Sequence, residues 1–380
     1  MKNLKRFNNI GARLLFMAAF LFTSLAGFTS PVAAAGSKDS SGVVYTLTNA
    51  ANGNAVLVYD RSANGALAFQ GSFSTGGLGS GNGLGSQEAV ALSDNNHWLF
   101  AVNAGSNQIS VFSVKAHGID LVNIVDSGGT RPISLTAHNE LLYVLNAGGS
   151  GNISGFEIGD GGSLTPLAGS TQPLSNGGTG SAPGPAQISF GSDGSTLAVT
   201  EKATNLIDTY KVEDGIAGAP VSHASSGATP FGFAFDRHDH MIVSEAFGGA
   251  AGGSAVSSYF VHEDEFNVVS PSVATTQTAA CWIAISKNGK YAFTTNAGSG
   301  SISSYEIGKD GSLTLLNPTA GSTGAGSTPI DMSFSNKGKF LYTLGAGAHT
   351  ITTFQMYANG SLVSLGSISV PAGVVGLAAH

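Results

Sequence analysis

Two glutamates, Glu201 and Glu245, occupy equivalent sequence positions at which they could act in acid–base catalysis or bind a cation. Glu201 and Glu245 each end a short hydrophobic segment, whereas most comparable segments of the chain end in Asn. Two carboxylates held close together can share a proton, have their pKa values pushed apart, or bind a cation. We therefore predict that Glu245 and Glu201 are catalytic acid–base residues, and that the same pair could hold a divalent cation, Ca²⁺ or Mg²⁺. The alternative for Glu201 is a structural salt bridge to Lys202 or another neighbour.

A second set of residues could bind a substrate beside these carboxylates. Its members are polar or aromatic and stand at the ends or starts of neighbouring strands: Gln187, Asn146, Asn296, Phe231, Trp282 and Glu88. The amides could orient a ligand by hydrogen bonds, and the aromatic rings could pack against a sugar-like or cationic one. Each Asn has an alternative role, because Asn-Ala-Gly after a strand forms turns in which the Asn side chain caps its own backbone.

These positions recur because the chain is built from repeats. The segments end at Asn49, Asn103, Asn146, Glu201, Glu245, Asn296 and Gly345, a mean spacing of about 49 residues. A period of about 40–50 residues made only of short strands is typical of a β-propeller. Asp-Gly and Asn-Gly turns at 193–194, 288–289, 310–311 and 359–360 separate the strands. We predict an all-β, seven-bladed β-propeller, with strands a to d numbered from the central channel outward.

The two ends of the chain indicate how the ring closes. The first repeat begins directly at strand b, Val43 to Thr48, and the C-terminal segment 373–379 matches a strand a. That strand would join blade 1 and remove the free sheet edges. Because strands a and b are antiparallel neighbours, the start of a and the end of b should lie at the same mouth of the channel. We therefore expect the candidate residues to surround one acidic mouth that binds a small molecule.

The N-terminal segment has the composition of a secretory signal. A basic start is followed by an apolar stretch of about 15 residues and by the small residues Ala33-Ala34-Ala35. The apolar stretch is shorter than the roughly 20 residues of a membrane span, although an uncleaved anchor is the alternative. We predict a signal peptide over 1–35, a short linker over 36–42 and a single propeller domain over 43–380. The protein would be secreted, or periplasmic in the cell envelope.

Charge and cysteine content narrow the classes of partner. The predicted signal holds four of the 16 basic residues and none of the 23 acidic ones, so the mature chain would carry a net charge of −11. Such a chain disfavours nucleic acid and anionic membrane surfaces as partners. Cys281 is the only cysteine, which excludes an intramolecular disulfide and a Cys/His metal framework. We expect a monomer with a small-molecule ligand.

Two further motifs have simple structural explanations. The Gly-rich run 76–85 is not followed by Gly-Lys-Ser/Thr, so it is not a phosphate-binding loop; we predict a flexible rim loop, with a lid as the alternative. The sequences His238-Asp239-His240 and 262–265 have metal-like spacing. Because they fall in turns of blade 5, we predict solvated loops.

The repeats resemble the seven-bladed lactonase family, which includes the propeller-type 6-phosphogluconolactonases and the 3-carboxymuconate lactonizing enzymes. The resemblance covers nearly the whole mature chain. It is carried by units in which Pro opens an inner strand, Phe ends it and a Gly turn leads to the next strand, as in 185–194 and in 327–338 followed by Lys339-Phe-Leu-Tyr342. It implies a propeller fold and lactone chemistry, and is more specific for the fold than for the reaction.

This chain departs from the family pattern at most of the catalytic positions that the resemblance implies. The family's Pro-His-His on blade 4 corresponds to Pro185-Ala-Gln187, its Pro-Arg-His on blade 5 to Pro230-Phe-Gly232, and its Asn-Arg-Gly on blade 6 to Asn296-Ala-Gly298. Only the Glu of its Asn-Glu on blade 5 is kept, as Glu245. Without the imidazoles and the Arg pair, the family's mechanism on a phosphorylated lactone is not expected here.

Two functions therefore remain. The first is an exported, lactonase-like hydrolase that acts on a neutral cyclic ester with Glu245 or Glu201 as base. The second is a non-catalytic propeller that binds a small ligand or a partner protein. Convergence of Glu201, Glu245 and Glu88 within reach of one metal ion would favour the hydrolase. Carboxylates that are splayed apart or tied into other contacts would favour binding.

Overall fold

The fold is an all-β propeller of seven blades. The computed structural model describes residues 41–380, so the predicted signal peptide and most of the linker lie outside the described residues. Thirty strands form seven sheets, and the only helical turns in 41–380 are the short 3₁₀ segments Asp160–Gly162 and Phe247–Gly249. No helix in this part of the chain has the length and apolar character needed to cross a membrane. The predicted fold class is confirmed.

The blades follow one another in chain order. Blade 1 contains β1 (Gly42–Leu47), β2 (Ala55–Arg61) and β3 (Leu67–Ser74); blade 2 contains β4 (Val90–Leu92), β5 (Trp98–Asn103), β6 (Gln108–Val114) and β7 (Ile119–Asp126). Blade 3 contains β8 (Pro132–His138), β9 (Leu141–Asn146), β10 (Asn152–Ile158), β11 (Leu164–Pro166) and β12 (Gln172–Pro173). Blade 4 contains β13 (Pro185–Phe190), β14 (Thr196–Glu201), β15 (Leu206–Glu213), β16 (Ile216–Ala217) and β17 (Val221–Ala224).

The remaining blades are regular four-stranded sheets. Blade 5 contains β18 (Pro230–Phe235), β19 (His240–Glu245), β20 (Ala255–His262) and β21 (Glu265–Ala274). Blade 6 contains β22 (Ala280–Ile285), β23 (Tyr291–Asn296), β24 (Ser301–Ile307) and β25 (Leu313–Ser322). Blade 7 contains β26 (Pro329–Phe334), β27 (Phe340–Gly345), β28 (Thr350–Met356) and β29 (Leu362–Ser369), and the chain ends with β30 (Val375–Ala379).

The C-terminal strand closes the ring. The sheet of blade 1 has the order β3-β2-β1-β30, so β30 is its innermost strand. Tyr45 pairs with Ala378, the backbones of Val43 and His380 exchange hydrogen bonds of 3.0 and 3.1 Å, and the Tyr45 hydroxyl lies 3.1 Å from the His380 ring. The predicted closure is therefore confirmed, and it leaves neither β1 nor β30 as a free inner edge.

The core lies between neighbouring blades, where the apolar side chains of the b and c strands are buried. Tyrosines on these strands also cross from blade to blade. The buried Tyr143 hydroxyl donates to the Gly215 carbonyl at 2.8 Å and accepts from the Ala217 amide at 2.8 Å, while the Tyr305 hydroxyl donates to the Val273 carbonyl at 2.9 Å. A buried hydroxyl must find such a partner, so these tyrosines fix the spacing between blades as well as filling it.

Candidate functional site

The backbone register of the site agrees with the sequence prediction, but the direction of the side chains does not. Pro185 pairs with Glu201 and Pro230 pairs with Glu245, so the starts of the a strands and the ends of the b strands do meet at one mouth. The carboxylates of Glu201 and Glu245, however, point away from the channel into their own blades. The expected ring of strand-end side chains around an acidic mouth was therefore wrong.

The two predicted catalytic carboxylates have separate surroundings. Glu201 accepts hydrogen bonds from the backbone amide and hydroxyl of Ser175, at 3.0 and 2.5 Å, and from the Thr204 hydroxyl at 2.6 Å. The alternative considered for Glu201, a salt bridge to Lys202, is not formed, because Lys202 donates to the carbonyls of Gly85 and Pro185. Glu201 instead holds the loop that begins at Ser175 against blade 4.

Glu245 holds blade 5 together in a similar way. Its carboxylate accepts hydrogen bonds from the Gly227 amide at 2.8 Å, from the Ser272 hydroxyl at 2.7 Å and from the Ser257 hydroxyl. Burial raises the pKa of Glu245, while these hydrogen bonds oppose the rise. The side chain is fully buried, and its donors come from the loop before β18 and from the strands β20 and β21. The structure does not bring Glu245 and Glu201 together as a catalytic or metal-binding pair.

The two asparagines predicted to bind substrate are also used inside the sheets. Asn146 donates to the Ser127 carbonyl at 3.1 Å and to the Asn152 side chain at 2.8 Å. Asn296 donates to the hydroxyls of Ser301 and Ser303, at 3.1 and 2.9 Å. Neither Asn side chain caps the backbone of its own turn, so that alternative was wrong for these two residues. Their hydrogen bonds are nevertheless structural, because they lie inside the sheets.

Glu88 and Gln187 do lie together in the channel. The Gln187 side-chain amide donates to the Glu88 carboxylate at 3.3 Å and to the Phe233 carbonyl at 2.9 Å, and its oxygen accepts from the Phe233 amide at 2.7 Å. Gln187 is thus fixed at both ends. Burial raises the pKa of Glu88 to about 8, and the hydrogen bond from Gln187 opposes this rise.

Glu88 lies at the wall of a cavity in the channel. The cavity has a volume of about 500 Å³ and runs from Gln87 and Glu88 toward the a–b turns, where Asp94 and Lys287 line it. The binding space therefore extends to the end of the channel opposite the predicted mouth. A partly buried carboxylate with a pKa near neutrality can gain or lose a proton at physiological pH, which suits general acid–base catalysis.

A second buried acid, Asp331, accompanies Glu88; it lies near the start of β26, the inner strand of blade 7. One Asp331 carboxylate oxygen accepts from the Met332 amide at 2.8 Å, and the other has no hydrogen-bond partner among the described residues. Burial raises the pKa of Asp331 well above its usual range, and the nearby Glu88 carboxylate raises it further. Burial therefore favours the protonated form of both acids.

The predicted mouth is closed by the chain itself. After the Gly-rich run, Ser86 and Gln87 cross to blade 6: the Trp282 indole donates to the Ser86 carbonyl at 3.3 Å, and the Gln87 side chain donates to the Ile283 carbonyl at 3.2 Å. A Cβ on Gly232 would lie 2.5 Å from the Gln87 side-chain oxygen and 2.7 Å from the Cys281 carbonyl oxygen, so Gly leaves room for this crossing. We define residues 83–87 as the plug.

Lys202 holds the plug from blade 4. Its ammonium group donates to the carbonyls of Gly85 and Pro185, at 2.5 and 3.1 Å, and lies 4.5 Å from the centroid of the Phe231 ring. The predicted aromatic pair is present beside it, with the Phe231 and Trp282 rings 5.0 Å apart. Burial lowers the pKa of Lys202 to about 8. This mouth therefore contains a cation, where the sequence predicted carboxylates.

The repeat alignment carried a signal for Lys202 that we missed. The residue after the strand end is Ala in six repeats and Lys in blade 4: Ala50, Ala104, Ala147, Lys202, Ala246, Ala297 and Ala346. A long cationic side chain at a position otherwise occupied by Ala can reach from the rim across the mouth.

We expect Lys202→Met to loosen the plug, because Met keeps an apolar stem over Phe231 and removes the two hydrogen bonds. In a Trp98→Phe background, Trp282 is the only tryptophan, and its fluorescence should become more accessible to quenching by acrylamide. Lys211→Met is the matched control, since Lys211 pairs with Glu213 at the surface of the same blade. Equal quenching in both variants would show that the plug does not depend on Lys202.

The metal-like His motif of blade 5 forms contacts between blades. Ligand atoms of Asp193, Asp239 and His262 lie within 4.8 Å of one another. The His262 ring is 3.1 Å from the Asp239 carboxylate and 3.9 Å from that of Asp193, which belongs to blade 4. His240 pairs separately with Asp236 at 2.9 Å. These side-chain contacts account for the group as a partly exposed link between two blades.

Comparison with known proteins agrees with this architecture. A family model described as "Lactonase, 7-bladed beta-propeller" matches residues 37–173 and 245–373. A putative 6-phosphogluconolactonase from Bacteroides fragilis superposes with a TM-score of 0.70 at 18% identity, over 91% of this chain and 99% of that one. The periplasmic gluconolactonase of Pseudomonas aeruginosa gives 0.67 at 14% identity, over 89% and 98%. Identities this low show a shared fold. No curated protein matches the sequence.

Proposed function

The chain belongs to the seven-bladed β-propeller lactonase family, and on this premise we propose that it hydrolyses an uncharged cyclic ester in its central channel. The position of Glu88 is the observation that carries the proposal. Its carboxylate faces a cavity of about 500 Å³, is oriented by Gln187 and has a pKa of about 8. Glu88 replaces Glu245 and Glu201 as the general base.

The reaction needs one group that accepts and returns a proton. Ionised Glu88 takes a proton from a water molecule as its oxygen attacks the ester carbonyl, and protonated Glu88 returns that proton to the ring oxygen as the C–O bond breaks. The product is the open hydroxy acid, and the protons balance. Burial favours the neutral form of Asp331, and a neutral neighbour limits the negative charge in the channel when Glu88 ionises.

The proposed substrate is uncharged because the residues for binding an anion are missing. The resemblance implies His or Arg at five positions, and this chain has Ala186, Gln187, Phe231, Gly232 and Ala297 there. An anionic lactone would also meet the ionised Glu88 base in the channel, and like charges lower affinity. These features together support a lactone without a phosphate or carboxylate group.

Binding without turnover is the second candidate, and two observations favour it. The carboxylates of Glu201 and Glu245 are splayed apart and tied into their own blades, which was the pattern expected of a binding propeller. The family model also leaves residues 174–244 unmatched, and this stretch contains Gln187, Phe231 and Gly232. In this case the same cavity holds a neutral ligand, and the acids of the channel contribute only hydrogen bonds.

Turnover of uncharged γ- and δ-lactones distinguishes the two candidates. We expect kcat/KM to rise about tenfold per pH unit below pH 8 and to level off above it, because the base is active only when Glu88 is ionised and its pKa is about 8. Rates are corrected for spontaneous hydrolysis, and are measured with and without EDTA. A lack of turnover on every lactone would leave binding as the function.

Export is proposed on the sequence of residues 1–35 alone. The Pseudomonas gluconolactonase is described as a periplasmic protein, which is consistent with an exported family member. N-terminal sequencing of the protein recovered from the periplasm or the medium tests this proposal. A mature N-terminus just after Ala35 is expected, and an intact Met1 in a membrane fraction would contradict it.

A further inference from the structure

Blade 4 buries two acidic side chains where other blades bury an amide and a hydroxyl. In blades 2 and 6 the strand-end Asn donates to a Ser on the neighbouring strand: Asn103 to Ser110 at 2.7 Å, and Asn296 to Ser303 at 2.9 Å. In each of these neutral pairs, the Asn amide and the Ser hydroxyl form a hydrogen bond with each other. The same two positions of blade 4 are Glu201 and Asp208, and both side chains are 0% exposed.

The two acids cannot satisfy each other when both are ionised. The Asp208 carboxyl lies within hydrogen-bonding reach of the Glu201 carboxyl, but two carboxylates have no proton to share. One Asp208 oxygen accepts from the Ser222 hydroxyl at 2.6 Å, and the other is buried with no hydrogen-bond partner in residues 41–380. A buried, unpartnered carboxylate oxygen that faces a second carboxylate indicates a missing positive charge.

No basic side chain of the described residues forms an ion pair with either acid. Burial raises the pKa of Asp208 to about 8, and Glu201 adds to the rise. In contrast, oxygen atoms surround the pair. The hydroxyls of Ser175 and Thr204 contact Glu201, and that of Ser222 contacts Asp208. With four carboxylate oxygens and three hydroxyls, the donor set contains only oxygen.

We propose that Glu201 and Asp208 bind a Ca²⁺ ion inside blade 4, with the hydroxyls of Ser175, Thr204 and Ser222 as further ligands. Ca²⁺ prefers about six to eight oxygen ligands, and two carboxylates match its charge. The ion would fasten Ser175, the start of the loop that leads to Pro185, to the sheet. The sequence also predicted a divalent cation at Glu201. In this proposal the second carboxylate ligand is Asp208 and not Glu245. This site is separate from the channel, so either proposal can fail alone.

The test uses the mature protein stripped with EDTA and then titrated with CaCl₂ by calorimetry. We expect one Ca²⁺ per chain and a melting temperature that rises by at least about 3 °C at saturation. The double variant Glu201→Asn/Asp208→Ser restores the neutral pair of blades 2 and 6, so it should fold and should lose both responses. Glu245→Gln is the matched control, because Glu245 holds the same repeat position with no second acid; it should keep the full Ca²⁺ response.

Two results would overturn the site. The first is the absence of bound Ca²⁺ in the native protein; a melting temperature that falls as pH rises from about 4 to about 8 would then show that the pair shares a proton. The second is an equal Ca²⁺ response in the native protein and the double variant, which would place the ion elsewhere.

Discussion

Replacing Glu88 by Gln is expected to lower kcat for lactone hydrolysis by about 10²–10⁴-fold. The amide has the same shape and can still accept the hydrogen bond from Gln187, so the channel should keep its structure. What the amide cannot do is accept a proton from water. KM should change little, since the substrate space is unaltered, and the dependence of rate on pH near 8 should disappear with the carboxylate.

Glu157→Gln provides the control for this variant, because Glu157 is an exposed carboxylate on β10, far from the channel lining. Its kcat should match that of the native protein. An unchanged kcat in Glu88→Gln would remove Glu88 from the mechanism. If instead a folded Glu245→Gln variant lost turnover, the assignment made from the sequence would be restored.

Ending the chain at Gly373 is expected to prevent cooperative folding or to lower the melting temperature by more than about 10 °C. The deletion removes β30 and with it the buried side chains of Val374, Val375 and Leu377. Burial of one such side chain is worth about 1.5–3 kcal/mol. Together with the lost pairing to β1, this approaches the about 5–15 kcal/mol that stabilises a whole domain.

The same truncation exposes the inner edge of β1, which is a template for pairing with other chains. Size-exclusion chromatography should therefore show aggregates, and the far-ultraviolet circular dichroism melt should broaden. His380→Ala is the control, since it removes the ring beside Tyr45 but keeps every strand. A truncated chain that melts like the native protein would mean that blade 1 does not depend on β30.

The number of blades and their closure could be predicted from sequence, because both depend on short-range patterns. Alternating side chains and Gly turns define strands locally, and their repetition fixes the count. Closure followed from one observation: the first repeat lacks a strand a, and residues 373–379 supply one. The same local reasoning placed Glu88 and Gln187 at the channel, because both stand at the start of an inner strand.

The direction of individual side chains was decided only by the tertiary structure. Alternation predicts which face a residue occupies inside a regular strand, but the pairing register shifts between Pro185 and Gln187 and at the same point of blades 3, 5, 6 and 7. A bulge turns the following side chains to a different face. Glu88 has a positive φ of 61°, which redirects its side chain as well.

The plug and the buried acids depend on contacts between residues that are far apart in sequence. Gln87 crosses to Ile283 in a blade almost opposite, and Lys202 reaches back to Gly85. Glu201 faces Asp208 and not Glu245, because each strand end packs against its own neighbouring strand. The sequence by itself therefore determined the seven-bladed propeller and the residue types around its central channel. Packing across the channel decided which of those residues face the ligand space, because no local pattern encodes a meeting of distant segments.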